Sequence, residues 1–204
     1  MKFGKEYFDF CKDDNGCDFD CKGGWQKEYA GLIAKYFFQP KLKTLDFGCA
    51  KGANTSALQD IGFDITGIDV SQWYVDNCVF GNMKGKLFSY DADKAVFPFE
   101  DNQFGFIHSQ QVVEHMHKKN ILKTLKELNR VLEKGGLFYV ATVDEDENGL
   151  DSEPTHYSCL SKKAWIEYFK KAGFEDVSEY YNSMNKERMP AEYKWVQFVF
   201  KKVK

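Results

Sequence analysis

The sequence predicts an α/β fold: a seven-stranded, mostly parallel sheet with helices on both faces and an antiparallel C-terminal hairpin. Three observations predict it. From Lys43 onward, short apolar runs alternate with amphipathic stretches, the pattern of repeated strand-helix units around a parallel sheet. The small residues Gly48, Ala50 and Gly52 follow the first run directly, where a chain leaving a buried strand turns tightly into a helix. The last two strand-like runs are joined by a polar segment, which suits an antiparallel pair on the sheet edge.

The elements follow in order. Residues 1–40 are aromatic and charged without a clean period, and a helix over 25–38 is interrupted at Gln39-Pro40. This segment is expected to cap a single domain over 41–204. Strands are expected at 44–47, 64–69, 86–90, 104–109 and 137–143. Helices are expected at 53–61, at 71–80 with Ser71 as N-cap, and at 118–132. In the last of these, Ile121, Leu122, Leu125, Leu128, Val131 and Leu132 form an apolar stripe, and Gly135-Gly136 is expected to end the helix. The acidic run 144–149 reads as a solvated loop. A helix over 161–172 closes at Gly173, and strands over 177–181 and 195–200 flank the polar connection 182–193.

Composition bounds the function. A chain of 204 residues, 43% hydrophobic and 29% charged, is an ordinary globular domain. The net charge is −3 with Lys and Arg scattered, so no basic stripe suggests a nucleic-acid partner. No run of about 18 apolar residues occurs and the N-terminus lacks a signal-peptide pattern, so the expectation is a cytoplasmic protein without a membrane partner. Aromatic residues make up 17% of the chain and are expected mainly in the core. The six cysteines read as reduced thiols; Cys11, Cys17 and Cys21 lack a close pair, so no metal is expected. Oligomeric state is not legible.

Ligands of open α/β sheets bind beyond the carboxyl ends of the strands. The turn Asp46-Phe47-Gly48-Cys49-Ala50-Lys51-Gly52 lets a ligand approach backbone N–H groups. A dinucleotide fingerprint would need glycines where Ala50 and Ala53 stand, and no Gly-Lys-Ser/Thr of a P-loop is present. The carboxylate of Asp46 favours a ligand that is positively charged at that end.

The segment Leu45–Gly52 resembles the first motif, D-x-G-x-G-x-G, of the class I S-adenosylmethionine-dependent methyltransferases, with Ala50 in place of the middle glycine. Later segments match in order: Thr66–Ser71 ending the second strand, Phe88–Asp93 ending the third, and Phe97–Ile107, where Gly105 replaces a common aspartate. Val112-Val113-Glu114-His115-Met116 resembles the family's v-l-E-H sequence, and Asn129–Gly136 its approach to strand five. The likeness covers residues 43–143 and implies a Rossmann-like sheet with S-adenosylmethionine as cofactor. It also implies cofactor binding by Trp25, Asp46, Gly48, Cys49, Ala50, Gly52, Asp69, Val70, Asp91, Ala92, Ser109 and Gln110. Within that set Asp69 would accept bonds from the ribose hydroxyls and Asp91 from the adenine amine, with Asp93 a competitor. Tyr7, Trp25 and Gln26 would form part of a lid.

Four histidines are available for proton transfer. His108 is expected to be packed within a strand and His117 exposed. Glu114 and His115 lie near the rim in the family. His156, in Glu153-Pro154-Thr155-His156-Tyr157, resembles the D-P-T-H tail of small-molecule members and is a candidate base or substrate ligand. The resemblance implies methyl transfer to a small polar molecule, at an oxygen of a sugar or other metabolite. The alternatives are a non-catalytic S-adenosylmethionine sensor and a nucleic-acid or protein methyltransferase.

Overall fold

The computed structural model describes residues 3, 5–10, 25–78, 80–83, 85–91, 93–144, 154–186 and 195–203. Cys11, Cys17, Cys21, Ala92, Glu153 and the acidic residues 145–149 lie outside these. Among the described residues seven strands are ordered β3-β2-β1-β4-β5-β7-β6. They are β1 Lys43–Phe47, β2 Asp64–Asp69, β3 Leu87–Ser89, β4 Phe104–Gln110, β5 Leu132–Val143, β6 Phe174–Asp176 and β7 Trp195–Lys202. The chain divides into two compact units, residues 1–91 and 92–204.

In the first unit β1 and β2 run parallel from the Lys43 and Asp64 pair to the Phe47 and Ile68 pair, and β2 pairs parallel with β3. Strands buried on both faces need continuous apolar character, and Leu45, Phe47 and Ile68 are fully buried. Helix α1 spans Lys5–Phe10 and α2 spans Trp25–Phe37. Tyr29, Ile33 and Phe37 recur every four residues on the buried stripe of α2. The crossover from β1 to β2 is α3, Ala53–Ile61, which ends in a left-handed cap at Gly62, φ 116°. Ser71 caps α4 as expected, its Oγ accepting from Tyr74 N at 3.3 Å. Helix α4, Gln72–Asp76, stops short of the expected 80. At its end the Asn77 side chain donates to Trp73 O at 2.8 Å, the competition with helix bonding that asparagine offers.

In the second unit β4 pairs parallel with β5, whereas β7 runs antiparallel to β5 on one side and to β6 on the other. The antiparallel end was expected, but its elements differ in detail. Helix α5 is Lys118–Val131, and β5 begins at the next residue, so Gly135-Gly136 lie inside a strand rather than at a helix end. The pairing steps from Phe104 with Leu132 to Phe106 with Leu137, a bulge in which Gly135 takes φ 81°. A Cβ on Gly136 would meet Gly105 O at 2.9 Å. The penultimate strand is 174–176, not 177–181, because Asp176 accepts from Ser178 N at 3.0 Å and turns the chain. Lys202 Nζ reaches across the bulge to Leu132 O at 2.7 Å and Asn102 Oδ1 at 2.9 Å.

Among the described residues many aromatic side chains are buried, Trp165, Tyr29 and Tyr139 almost completely. Phe169 of the helix Lys162–Lys171 stacks on Phe200 of β7 at 3.8 Å, with Phe138 and Phe174 around them. Asp144, expected in a solvated loop, is instead 1% exposed and ion-paired to Lys162 at 3.3 Å. A buried carboxylate needs such a partner.

Candidate functional site

The first cluster lies in the turn after β1. Gly48 N and Cys49 N both donate to Ile68 O, at 2.8 and 3.1 Å, and Gly52 N donates to Cys49 O at 2.8 Å. Gly48, Ala50 and Gly52 have φ of 81°, 46° and 97°. Ala50 therefore occupies a left-handed conformation that disfavours any residue with a Cβ by roughly 1–2 kcal/mol. Ala50→Gly is expected to raise stability by about 0.5–1 kcal/mol after the added flexibility of the unfolded chain is subtracted. Urea unfolding would check this; an unchanged or lower midpoint refutes it.

Asp69 anchors the turn. Its Oδ2 accepts from Ala50 N at 3.0 Å and its Oδ1 from Ser71 N at 2.8 Å. Each oxygen retains lone-pair capacity for another donor. Burial pushes its pKa from 3.8 up to about 6; bonds from Ser71, Ala50 and Val70 act the other way, and the charge of Asp46 adds to the rise. The Asp46 carboxylate is held by Thr55 Oγ1 at 2.6 Å. The arrangement can bind a ligand rich in hydroxyl donors beside backbone left open by glycine.

The sequence reading missed Gly67, on β2 beside the turn. A Cβ there would lie 2.6 Å from Leu87 Cδ2 and 2.7 Å from Cys49 Cβ. A glycine inside a strand pattern is itself a signal of close backbone approach. Tyr90 N donates to Asp69 O at 3.0 Å, which places the exposed Asp91 one residue beyond the Asp69 strand end. Asp93 faces Lys119 and Asn120 of α5, at 3.6 and 3.5 Å. Of the lid candidates, Tyr7 packs with Tyr74, Phe3, Ala50 and Trp73, while the Ser71 hydroxyl donates to Phe3 O. Gln26 is buried, and the half-buried Trp25 lies 6.0 Å from Tyr29. Val70 is exposed.

The second cluster lies in the second unit, after β4. Ser109 is buried at the end of this strand and Gln110 half-buried. His108 is buried and stacked on Tyr139, as the packed reading expected. The 3-10 turn Val113–His115 is stitched to residues 155–158. Ser158 N donates to Glu114 O at 2.9 Å and Ser158 Oγ to Met116 O at 2.6 Å. His115 Nδ1 lies 3.1 Å from Thr155 O and 3.0 Å from Thr155 Oγ1. Glu114 is fully buried, with Oε2 accepting from Thr142 Oγ1 at 2.7 Å. The His115 and His156 rings meet edge to face at 4.6 Å. Donor atoms of Glu114, His115 and His156 lie within 4.8 Å of one another. His117 is exposed and stacks on Tyr157 at 4.1 Å. The sequence named the three donors separately; their convergence, and the supporting Thr142, Thr155 and Ser158, depend on contacts 28 to 42 residues apart and carry no local signal.

The cluster joins a carboxylate to two imidazoles and can take up a proton or hold a cation. No helix among the described residues is long and apolar enough to cross a membrane.

Comparison with known proteins follows the same lines. A family model described as a methyltransferase domain matches residues 24–179. The chain is 27% identical over 105 residues to a ubiquinone biosynthesis O-methyltransferase of Pelagibacter ubique, covering 51% of this chain and 43% of that protein. It is 29% identical over 135 residues to a sterol 4-C-methyltransferase of Caenorhabditis elegans, covering 63% and 39%. The chain thus spans about two fifths of the length of these relatives. The structure of PH0226 from Pyrococcus horikoshii superposes with a TM-score of 0.70 at 21% identity, covering 97% of this chain and 99% of that one. With its glycine turn, its strand-end carboxylate and its sheet order, the chain belongs to the class I methyltransferases, whose methyl donor is S-adenosylmethionine.

Proposed function

We propose that the protein transfers the methyl group of S-adenosylmethionine to an oxygen of a small polar acceptor. The observation that carries this reading is the Glu114, His115 and His156 cluster. Donor binding is assigned to the turn from Asp46 to Gly52, to Asp69 for the ribose hydroxyls and to Asp91 for the adenine amine. The sulfonium is already an excellent leaving group, so the protein's main work is positioning and exclusion of water. An alcohol, unlike a thioether, must also lose a proton, and an imidazole is a common general base for that task. In the displacement the acceptor oxygen bonds to the methyl carbon and the carbon–sulfur bond breaks. The electron pair goes to sulfur, leaving a neutral thioether, and the hydroxyl proton passes to His156. The relatives act at oxygen and at carbon by name, so the choice of oxygen rests on the cluster.

The test is S-adenosylhomocysteine release across a panel of hydroxylated metabolites, compared with carbon nucleophiles, tRNA and protein. Release with a hydroxylated compound, falling by about 10²–10⁴ in His156→Ala, is expected for loss of a general base. Release only with carbon nucleophiles or macromolecules, or full turnover in His156→Ala, overturns the reading. Donor binding without release to any acceptor would instead mark a sensor.

A further inference from the structure

We infer that Glu114, His115 and His156 form a binding site for a divalent transition-metal ion, with zinc the best match to the donor set. Two imidazole nitrogens and one carboxylate make up the three-ligand set of zinc sites that keep a position open for water or substrate. Magnesium and calcium prefer all-oxygen surroundings, so the two histidines argue against them.

The geometry is close to what an ion needs. All three donor atoms lie within 4.8 Å of one another. Tetrahedral ligands with bonds of about 2.0–2.1 Å are about 3.3–3.4 Å apart, so no gap need close by more than roughly 1.4 Å. Both histidines are half-buried, one in a single 3-10 turn and the other two residues after Pro154.

The surrounding bonds supply an independent reason. Ligating histidines characteristically donate their second ring N–H to a carbonyl or carboxylate, and ligating carboxylates are themselves hydrogen-bonded. His115 Nδ1 lies within hydrogen-bond distance of both Thr155 O and Thr155 Oγ1; in the tautomer that donates Nδ1–H to the carbonyl, Nε2 is the ring nitrogen that a cation would use. Thr142 Oγ1 fixes one carboxylate oxygen of Glu114 at 2.7 Å, and Ser158 holds the neighbouring backbone. The fully buried Glu114 carboxylate also gains a counter-charge from a bound dication. With an ion bound, the open coordination position would take the acceptor hydroxyl and lower its pKa, and the proton would leave to solvent; without the ion, His156 is the base that receives it. That role rests on the proposed function; binding of the ion does not.

The experiment uses the full chain, stripped of metal by chelation and titrated with zinc, then cobalt, in the absence of donor and acceptor. One zinc per chain is expected, weakened at least tenfold in His156→Ala and in Glu114→Gln, each checked for an unchanged thermal melt. Cobalt should give d–d bands without an intense thiolate charge-transfer band. Absence of saturable binding overturns the inference, as does affinity unchanged in folded variants. A thiolate band overturns it too, since it would assign the ion to cysteines such as Cys11, Cys17 and Cys21. The cobalt spectrum needs no variant, and S-adenosylmethionine affinity measured on the stripped protein separates a failed metal site from a failed methyltransferase reading.

Discussion

Replacing Asp69 with asparagine is expected to weaken binding of S-adenosylhomocysteine by about 10²–10⁴, read by calorimetric titration. Two hydrogen bonds to a charged acceptor contribute roughly 1.5–3 kcal/mol each. The amide conserves shape but brings an NH2 where an oxygen stood. In the native turn both oxygens face backbone donors, Ala50 N at 3.0 Å and Ser71 N at 2.8 Å, so either amide orientation sets donor against donor. The substitution therefore disturbs the turn as well as the proposed ribose contacts. The same carboxylate sets a pH dependence. Its pKa is raised from 3.8 to about 6, so in the ligand-free protein it becomes protonated as pH falls below that value. Donor affinity should then drop by up to about tenfold per pH unit below pH 6. Stability moves the opposite way. The folded state holds this proton more tightly than the unfolded one, so the stabilising contribution is full below pH 3.8 and is lost as pH rises to about 6. Affinity that stays flat from pH 7 to 5, or an Asp69→Asn variant that binds normally, would remove Asp69 from the ribose role.

Gly67→Ala is expected to lower stability by about 2–3 kcal/mol, with a melting temperature reduced by roughly 5–10 °C. The new methyl would sit 2.6 Å from Leu87 Cδ2, 2.7 Å from Cys49 Cβ and 2.8 Å from Cys49 Sγ. Leu87 could rotate. Cys49 cannot move without moving the turn, because Gly48 N and Cys49 N share Ile68 O one residue along β2. Donor affinity should fall together with stability. Gly81→Ala is the control: nothing lies within 4 Å of the point its Cβ would occupy, and the change should be near neutral. Equal melting temperatures for the two variants would refute the packing account.

The residues that announced themselves in the sequence were those whose job is local. Gly48, Gly52, Asp69 and Ser71 act within a few residues of their own strand ends, and each stands where its type predicts. Glycine also misled. Gly135-Gly136 resembles a helix stop, yet the glycines serve a bulge whose need arises from the neighbouring strand, at Gly105. Val177, Tyr180 and Tyr181 have strand propensity, but the bond from Ser178 to Asp176 overrides it. Glu114, His115 and His156 were each nameable from short motifs. Nothing in those motifs brings residue 156 to residue 115; the stitching by Thr155 and Ser158 does that, and it exists only once the second unit has folded.

The place of β7 between β5 and β6 has a consequence for synthesis of the chain. Until residues 195–202 emerge, β5 has an open edge along Leu137–Val143, and β6 has no strand to join. Phe198 and Phe200 are likewise missing from a core already holding Phe138 and Phe169. A nascent chain thus carries an unprotected, strongly apolar strand edge while its more local elements can already form. Closing the sheet is a late, long-range event, and the interval before it is when the open edge of β5 is most exposed to aggregation.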